Sequence, residues 1–468
     1  MKVVFCASEV FPFAKTGGLA DVCGALPAAL KEQGVEVSVF LPAYRGVVDR
    51  FQAEAIQDGL YKTALAGGVP VYLVDHPGYF DREYLYGDDR GDYADNFDRF
   101  LYFNRKVIEY CEESGLRPDI IHCHDWQTAM IPVLLRHKYH GHDFWKGVKT
   151  LLTVHNMAFQ GDFPDELFPK LGLAGTFPPG DAMAHGRINF LKAGLMAADE
   201  VNTVSPRYAQ EIYTPEFGCG LQDVLKGRAR PVKGIINGID RSCWDARTDP
   251  LIEVNFDAGG VEEAKRINKR ALQAMLDLPD DPDVPLFVFV GRLSHQKGVG
   301  VLLEALPQIL SMHLQVVVQG RGDRGCENAL REMASARRDH LAFAPRYDEP
   351  LAHQVYAGGD FFLMPSVFEP CGLTQMISMA YAALPVAHLV GGLLDTIKTH
   401  EQYGRDANGF GFRGLDAGNL ARAVESAVGV YRIPSELARL RRNALAADFS
   451  WGHSAQDYRR LYQCLLSE

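Results

Sequence analysis

Positive charge is scarce in this chain: 48 Lys and Arg face 59 Asp and Glu, a formal charge of −11. That balance argues against a nucleic-acid coat or an anionic membrane surface as partner. A small anionic ligand stays open, because it responds to local rather than net charge. The nine cysteines are scattered, odd in number and never form a C-x-x-C pair. Such usage speaks against a disulfide framework and fits free buried thiols in a reducing cytoplasm. No apolar run is long enough to span a bilayer. Met1-Lys2 leads directly into VVFCA, so no signal peptide is expected. Repeats at solenoid periods and low-complexity tracts are missing too. The remaining profile is that of a cytoplasmic enzyme.

At 468 residues the chain exceeds one hydrophobic core, and two domains of about 200 residues each are expected. Hydrophobic content of 47% and charged content of 23% fit a soluble globular protein.

The most informative stretch is Phe361 to Leu393. Phe361-Phe362-Leu363-Met364 is an unbroken apolar run closed by Pro365, which reads as a buried strand of a parallel sheet. Helical spacing then puts Leu373, Met376, Ile377 and Ala380 on one face. Between them sits Phe368-Glu369-Pro370-Cys371-Gly372. A carboxylate is thus held just before the free N–H groups of a helix N-terminus, where anions bind. Gly372 lets a ligand approach that backbone closely. A lone Glu here would be a first-turn acid favouring the helix dipole. Pro, Cys and Gly crowded against it at a strand end favour a functional role.

Earlier in the chain, Val3 to Ala7 is a strand and a helix pattern resumes near Asp21. Their connection carries Lys15 before Thr16-Gly17-Gly18, which offers backbone N–H groups and a point charge suited to phosphate. This loop is neither a Walker A loop nor a G-x-G-x-x-G fingerprint. Its place at the carboxyl end of a first strand gives it weight. The stretch from Gly78 to Arg99 is dense in Tyr, Asp and Gly, which suits a solvated acidic loop and a sugar-facing surface alike. Asp119 to Asp125 reads as a strand with His122 and His124 on one face. No Glu-x-x-His or cysteine set completes a metal site there, so none is expected. Asp125 and Trp126 at the strand end are preferred instead. Lys149 to Val154 is another strand, ending in His155 and Asn156; Asn is equipped to hydrogen-bond hydroxyls.

The second half opens with Pro285 to Val290, a strand that runs into GRLSHQKG. Arg292 and Lys297 on this strand-to-helix loop suit a diphosphate. Tyr347, after a further strand, is placed to stack on a base. Two doubly wound domains facing each other would set Lys15, Gly17, Gly18, Asp125 and His155 opposite Arg292, Lys297, Tyr347, Glu369 and Gly372. Transfer from a nucleotide sugar requires such an inventory, and electrostatic stabilisation of the leaving diphosphate can replace a metal.

The motifs K-T-G-G-L-A-D-V, H-C-H-D-W-Q, H-N-M-A-F-Q-G, V-S-P-R-Y-A-Q-E-I, G-R-L-S-H-Q-K-G and F-E-P-C-G-L-T-Q resemble those of bacterial glycogen (starch) synthases. They run in family order from Lys15 to Gln375, and the closing F-S-W segment matches too. The resemblance implies a GT-B fold, an α/β architecture of two Rossmann-like doubly wound domains facing a deep cleft. The domains are expected at 1–245 and 246–448, with a helix over 449–468 crossing back to the first. It implies retaining transfer of glucose from ADP-glucose to the non-reducing 4-hydroxyl of an α-1,4-glucan such as glycogen, with no cofactor and no metal. Residue by residue, it makes Glu369 the essential acid, His155 the contact to the transferred glucose and Lys15 the donor-binding lysine. Gly17 and Gly18 lie beside the phosphates, which Arg292 and Lys297 neutralise. Asp125 and Asn156 line the glucose pocket, Cys371, Gly372, Leu373 and Thr374 hold glucose and phosphate, and Tyr347 stacks on adenine. Glu369 is assigned positioning and electrostatics, within a same-face, ion-pair-like route to retention.

The chain departs from the family pattern at His388-Leu389-Val390, at Tyr381-Ala382-Ala383 and at Arg324-Gly325-Cys326. These positions bear on donor affinity and nucleotide preference, not on the residues assigned to chemistry. The alternatives are a related glucosyltransferase using UDP-glucose or another acceptor, and a catalytically silent glucan-binding protein.

Overall fold

Val3, Val4, Phe5 and Cys6 are all buried, and this apolar run forms the central strand β1 (Lys2–Cys6) of a nine-stranded sheet. In the computed structural model, which describes residues 1–88 and 90–467, the chain divides into two compact units. The first comprises Met1–Gly238 and Trp451–Glu468; the second is Ile239–Ser450. Asp89 of the Tyr- and Asp-rich stretch and Glu468 of the C-terminal segment lie outside the described residues. Among the described residues no helix is long and apolar enough to cross a membrane.

In the first unit β2 (Glu36–Pro42) pairs parallel with one side of β1, and β3 (Glu54–Gln57), β4 (Leu60–Leu65) and β5 (Val69–Val74) extend the sheet beyond it. The chain then returns to the other side of β1 as β6 (Ile120–His124), followed outward by β7 (Lys149–Val154), β8 (Glu200–Thr203) and β9 (Lys233–Gly234). The strand order is β9-β8-β7-β6-β1-β2-β5-β4-β3. β1 and β6 run parallel, and the order in which strands are added reverses between them. Such a switch point is where open α/β sheets bind ligands.

The second unit repeats this plan with six parallel strands. From β10 (Leu286–Val290) the sheet grows through β11 (Gln315–Gln319) to β12 (Leu341–Ala344). It then restarts on the other side as β13 (Phe361–Met364), β14 (Leu384–His388) and β15 (Phe410–Phe412). The switch point lies between β10 and β13. Phe287 and Phe361 stack across that pair with ring centroids 4.7 Å apart, within an apolar core continued by Leu302, Leu306, Val424 and Leu440.

The division between units falls at Gly238–Ile239, ahead of the expected residue 245, and again at Ser450–Trp451 rather than 449. The N–H of Ile239 donates to the carbonyl of Phe449 at 2.7 Å, which ties both ends of the second unit together right after the Asn237-Gly238 turn. Past that tie, α4 (Trp451–Leu466) packs on α1 (Gly18–Glu32) and buries Trp451, Ala455, Tyr458, Tyr462 and Leu465. Tyr462 donates its hydroxyl to Nδ1 of His122 at 2.7 Å, and His122 Nε2 lies 2.6 Å from Thr153 Oγ1. Thr153 donates onward to Asn202 Oδ1 at 2.6 Å, which fixes the direction of the whole relay and makes His122 the Nε2–H tautomer.

Candidate functional site

The sequence-assigned residues of the first unit gather at the carboxyl ends of β1, β6 and β7. After β1 the chain forms a loop that ends where α1 begins, with Gly17 as its N-cap. Lys15 Nζ lies 2.6 Å from Asp21 Oδ1 on the first turn of α1. The amides expected to face phosphate already have an internal acceptor. Glu9, only 4% exposed, takes the N–H of Thr16 at 2.5 Å, its hydroxyl at 2.7 Å and the N–H of Gly17 at 3.2 Å. Tyr86 donates its hydroxyl to the same carboxylate at 2.8 Å. Glu9 therefore holds the loop in shape, and the amides of Thr16 and Gly17 are already taken by it. The sequence carries Glu9 at the strand end in Ser8-Glu9, but nothing in its spacing announces that it folds back on Thr16. The Tyr- and Asp-rich stretch contributes through Tyr86, and Arg99 at its end is wholly buried.

Asp125 leaves β6 with φ 55° and ψ −173°, a region that costs a residue with a side chain about 1–3 kcal/mol. Two bonds over-determine it: its N–H donates to the Thr153 carbonyl at 2.9 Å, and its Oδ1 accepts the His155 amide at 2.6 Å. The Asn156 amide also reaches this carboxylate. Burial nonetheless pushes the Asp125 carboxyl up to about 7, against the pull of those amides, with Glu9 adding to the rise. Burial also drives His155 down to about 3, so its imidazole is neutral at neutral pH. Nε2 of His155 lies 2.9 Å from Nδ1 of His124, leaving Nδ1 of His155 to address a hydroxyl. Asn156 sits beside it, its Oδ1 accepting the Ala158 amide at 3.0 Å. Cys23, buried on α1, completes a group with His124 and His155 in which the three candidate ligand atoms lie within 4.8 Å of one another. Strand periodicity pairs His122 with His124 and gives no hint of Cys23.

In the second unit the loops after β10 and β13 meet. Lys297 Nζ lies 2.6 Å from Glu369 Oε2, and Ser366 Oγ donates to the same oxygen at 3.1 Å. Both charged side chains are largely withdrawn from solvent, at 19% and 7% exposure. The backbone braces the pair: the Val367 amide donates to the Gln296 carbonyl at 2.9 Å, and Gly298 presses against the Pro365 carbonyl. His388, where the family pattern has Arg, donates Nδ1–H to the Ser366 carbonyl at 2.8 Å. Behind Glu369, Gly372 turns with φ 75° into α3 (Thr374–Ala380), with Leu373 as its N-cap. Gln375 donates to the carbonyls of Cys371 and Gly372 at 3.1 and 2.9 Å, which pins these carbonyls inward. Thr374 caps the strand side with a contact of 3.8 Å from Oγ1 to Met364 Sδ. With seven residues α3 is short, so anion affinity here rests on local N–H groups more than on a macrodipole. Arg292 is exposed on the loop that carries Lys297. Tyr347 stands apart: it is 68% exposed beyond β12, at the sheet edge rather than at the switch point.

Residues 2–227 match the family model described as the starch synthase catalytic domain, and residues 284–429 match that of glycosyl transferases group 1. The glycogen synthase of Geotalea daltonii is 42% identical, covering 100% of this chain and 99% of its own. That of Paramagnetospirillum magneticum is 43% identical over 99% of this chain and 98% of its own. Among solved structures, the catalytic domain of starch synthase IV from Arabidopsis thaliana, bound to ADP and acarbose, superposes with a TM-score of 0.87 at 34% identity, covering 100% of this chain and 99% of that one. Sucrose-phosphate synthase from Thermosynechococcus elongatus, 19% identical with a TM-score of 0.65 over 100% and 99% of the two chains, shares the fold.

Proposed function

The chain belongs to the glycogen synthase family of GT-B glycosyltransferases, and we propose that it transfers glucose from ADP-glucose to the non-reducing 4-hydroxyl of an α-1,4-glucan with retention at the anomeric carbon. The observation that carries this reading is the Lys297–Glu369 pair, held 2.6 Å apart on the two loops that flank a topological switch point. A cation and a carboxylate kept together there match a leaving diphosphate on one side and a polyhydroxylated ring on the other.

In the proposed reaction the bond from the anomeric carbon to the diphosphate breaks, and the departing oxygens are neutralised by Lys297, Arg292 and Lys15. The acceptor oxygen bonds to the same face of that carbon, and its proton passes to the departing phosphate. Preorganised charge of this kind stabilises a developing anion without reorganisation during the step. Neutral His155 and Asn156 orient the glucose hydroxyls, and Glu369 fixes Lys297 and the glucose as a positioning and electrostatic residue. Asp125 shapes the pocket through the amides of His155 and Asn156. Cys371, Gly372, Leu373 and Thr374 supply backbone contacts, with Gly18 on the other loop beside Gly17, whose own amide is held by Glu9, and Tyr347 stacks on adenine. The free cysteines suit a cytoplasmic setting.

The test is incorporation of labelled glucose into glycogen from ADP-glucose and UDP-glucose separately, with Glu369→Gln alongside. Incorporation from ADP-glucose that falls by about 10²–10³ in the variant is expected. A preference for UDP-glucose overturns the donor assignment alone. No incorporation from either donor leaves a glucan-binding protein.

A further inference from the structure

Cys23, His124 and His155 come from α1 and from the ends of β6 and β7, yet their ligand atoms lie within 4.8 Å of one another. A cysteine and two histidines form the donor set of an open, catalytic-type zinc site, with Zn–N near 2.0–2.1 Å and Zn–S near 2.3 Å. Tetrahedral bonds of that length hold ligand atoms about 3.3–3.6 Å apart. The His124–His155 nitrogens at 2.9 Å need to part slightly, and the sulfur needs to close by up to about 1.2 Å. Nε2 of fully buried His124, the far nitrogen of that ring, has no partner among the described residues. Only one of the two facing nitrogens can carry a hydrogen in the 2.9 Å contact. A cation between the rings moves that hydrogen to the far nitrogen of its own ring, and both near nitrogens become ligands.

We propose that Cys23, His124 and His155 bind a zinc-class divalent cation through Nε2 of His155, and that its binding blocks transfer by leaving Nδ1 of His155 only a donor towards the glucose hydroxyls. Atoms balance simply: the ion gains two neutral imidazoles and one thiolate, and the Cys23 thiol releases one proton. A water keeps the fourth position. His155, 9% exposed where the other two are fully buried, is the point of entry. The blocking half rests on the assignment of His155 to glucose, whereas cation binding does not.

The experiment uses the full-length chain, stripped with a chelator, and Co²⁺ and Zn²⁺ alone as probes. Co²⁺ is expected to raise a thiolate-to-metal charge-transfer band that saturates near one equivalent and is abolished by Zn²⁺. Cys23→Ala and Cys23→Ser are expected to lack the band and to keep basal transfer, with unchanged far-ultraviolet dichroism showing that each has folded. Zn²⁺ is expected to inhibit transfer by the unmodified chain at a concentration at least about tenfold lower than for either variant. No charge-transfer band in the unmodified chain, or an equal one in both variants, overturns the site. A band with transfer unaffected by Zn²⁺ overturns the blocking and, with it, the assignment of His155. If the stripped chain transfers glucose from neither donor, the failure is that of the proposed function, and the cobalt spectrum still decides the site.

Discussion

Lys297 Nζ and Glu369 Oε2 lie 2.6 Å apart on different loops, 72 residues distant in sequence. Removing either partner strands the other in a place with little water, a costlier event than losing a surface pair. Lys297→Ala is therefore expected to lower kcat/KM for the nucleotide sugar by about 10²–10³. Combined with Glu369→Gln, the loss should fall well short of the product of the two single losses, since contacting residues couple. Initial rates across donor concentration for the four proteins check this. Multiplicative losses would mean that the two side chains act independently.

Asp125 gives a pH test that needs no substrate. Its carboxyl titrates near 3.8 when exposed and is pushed up to about 7 in the fold, chiefly by burial. The folded chain thus keeps a proton that the unfolded chain has released. Its stabilising share is complete below about pH 3.8 and is lost as pH rises through about 7. Asp125→Asn keeps the carbonyl oxygen that accepts the His155 amide and cannot ionise. The melting temperature of the variant minus that of the parent should rise between about pH 5 and pH 8. His155 shifts the other way in both proteins and cancels in the difference. A flat difference would show that Asp125 is ionised throughout that range.

Both switch points are legible from single residues. Pro365 after Phe361-Phe362-Leu363-Met364 marks a buried strand, and β13 occupies those four residues. Gly17-Gly18 before an amphipathic pattern marks a helix start, and α1 begins at Gly18. These features are local, set by periodicity and by residues that end an element. Glu9, Cys23 and Ser366 are different. Each matters through a partner brought near by the fold, such as Cys23 meeting His155, and no pattern within one element encodes that meeting. The same holds for the backbone of Asp125, whose positive φ is imposed by its neighbours and is not a preference of Asp. The Tyr-rich stretch before Arg99 shows the reverse case. Its composition suggests a solvated loop, yet Tyr86 reaches Glu9 and Arg99 is buried against the carbonyls of Tyr79 and Leu85.

Gly298 tests how tightly the Lys297 loop is set. It has φ 66°, and a Cβ there would collide with the Pro365 carbonyl. Gly298→Ala is expected to cost about 1–2 kcal/mol from the left-handed backbone alone, with the collision adding to it. Displacement of Lys297 should also raise KM for the donor. Gly300→Ala is the control: its Cβ meets nothing within 4 Å, and the residue lies inside α2 (Val299–Ile309). It should be neutral or stabilise by up to about 1 kcal/mol. Urea unfolding midpoints compare the two. Equal midpoints would remove the argument that Gly298 sets the loop.

Tyr462 on α4 donates to His122 Nδ1 at 2.7 Å, at the head of a buried relay that continues through Thr153 to Asn202. Burial keeps the Tyr462 phenol protonated and the His122 ring neutral by pushing the first up and the second down. With Thr153 donating to Asn202, the relay has one direction only, and Nδ1 of His122 must accept. Tyr462→Phe deletes the one donor to that nitrogen and leaves room for no obvious substitute, since both residues are fully buried. The expected loss is about 1–3 kcal/mol, the desolvation cost of a stranded acceptor. Tyr458→Phe removes a hydroxyl that accepts from Asn202 at 3.2 Å, a longer bond at the tail of the relay. It should cost less, and the order of the two urea midpoints is the measurement. If Tyr458→Phe proves the more damaging, the direction of the relay is reversed and His122 is the other tautomer.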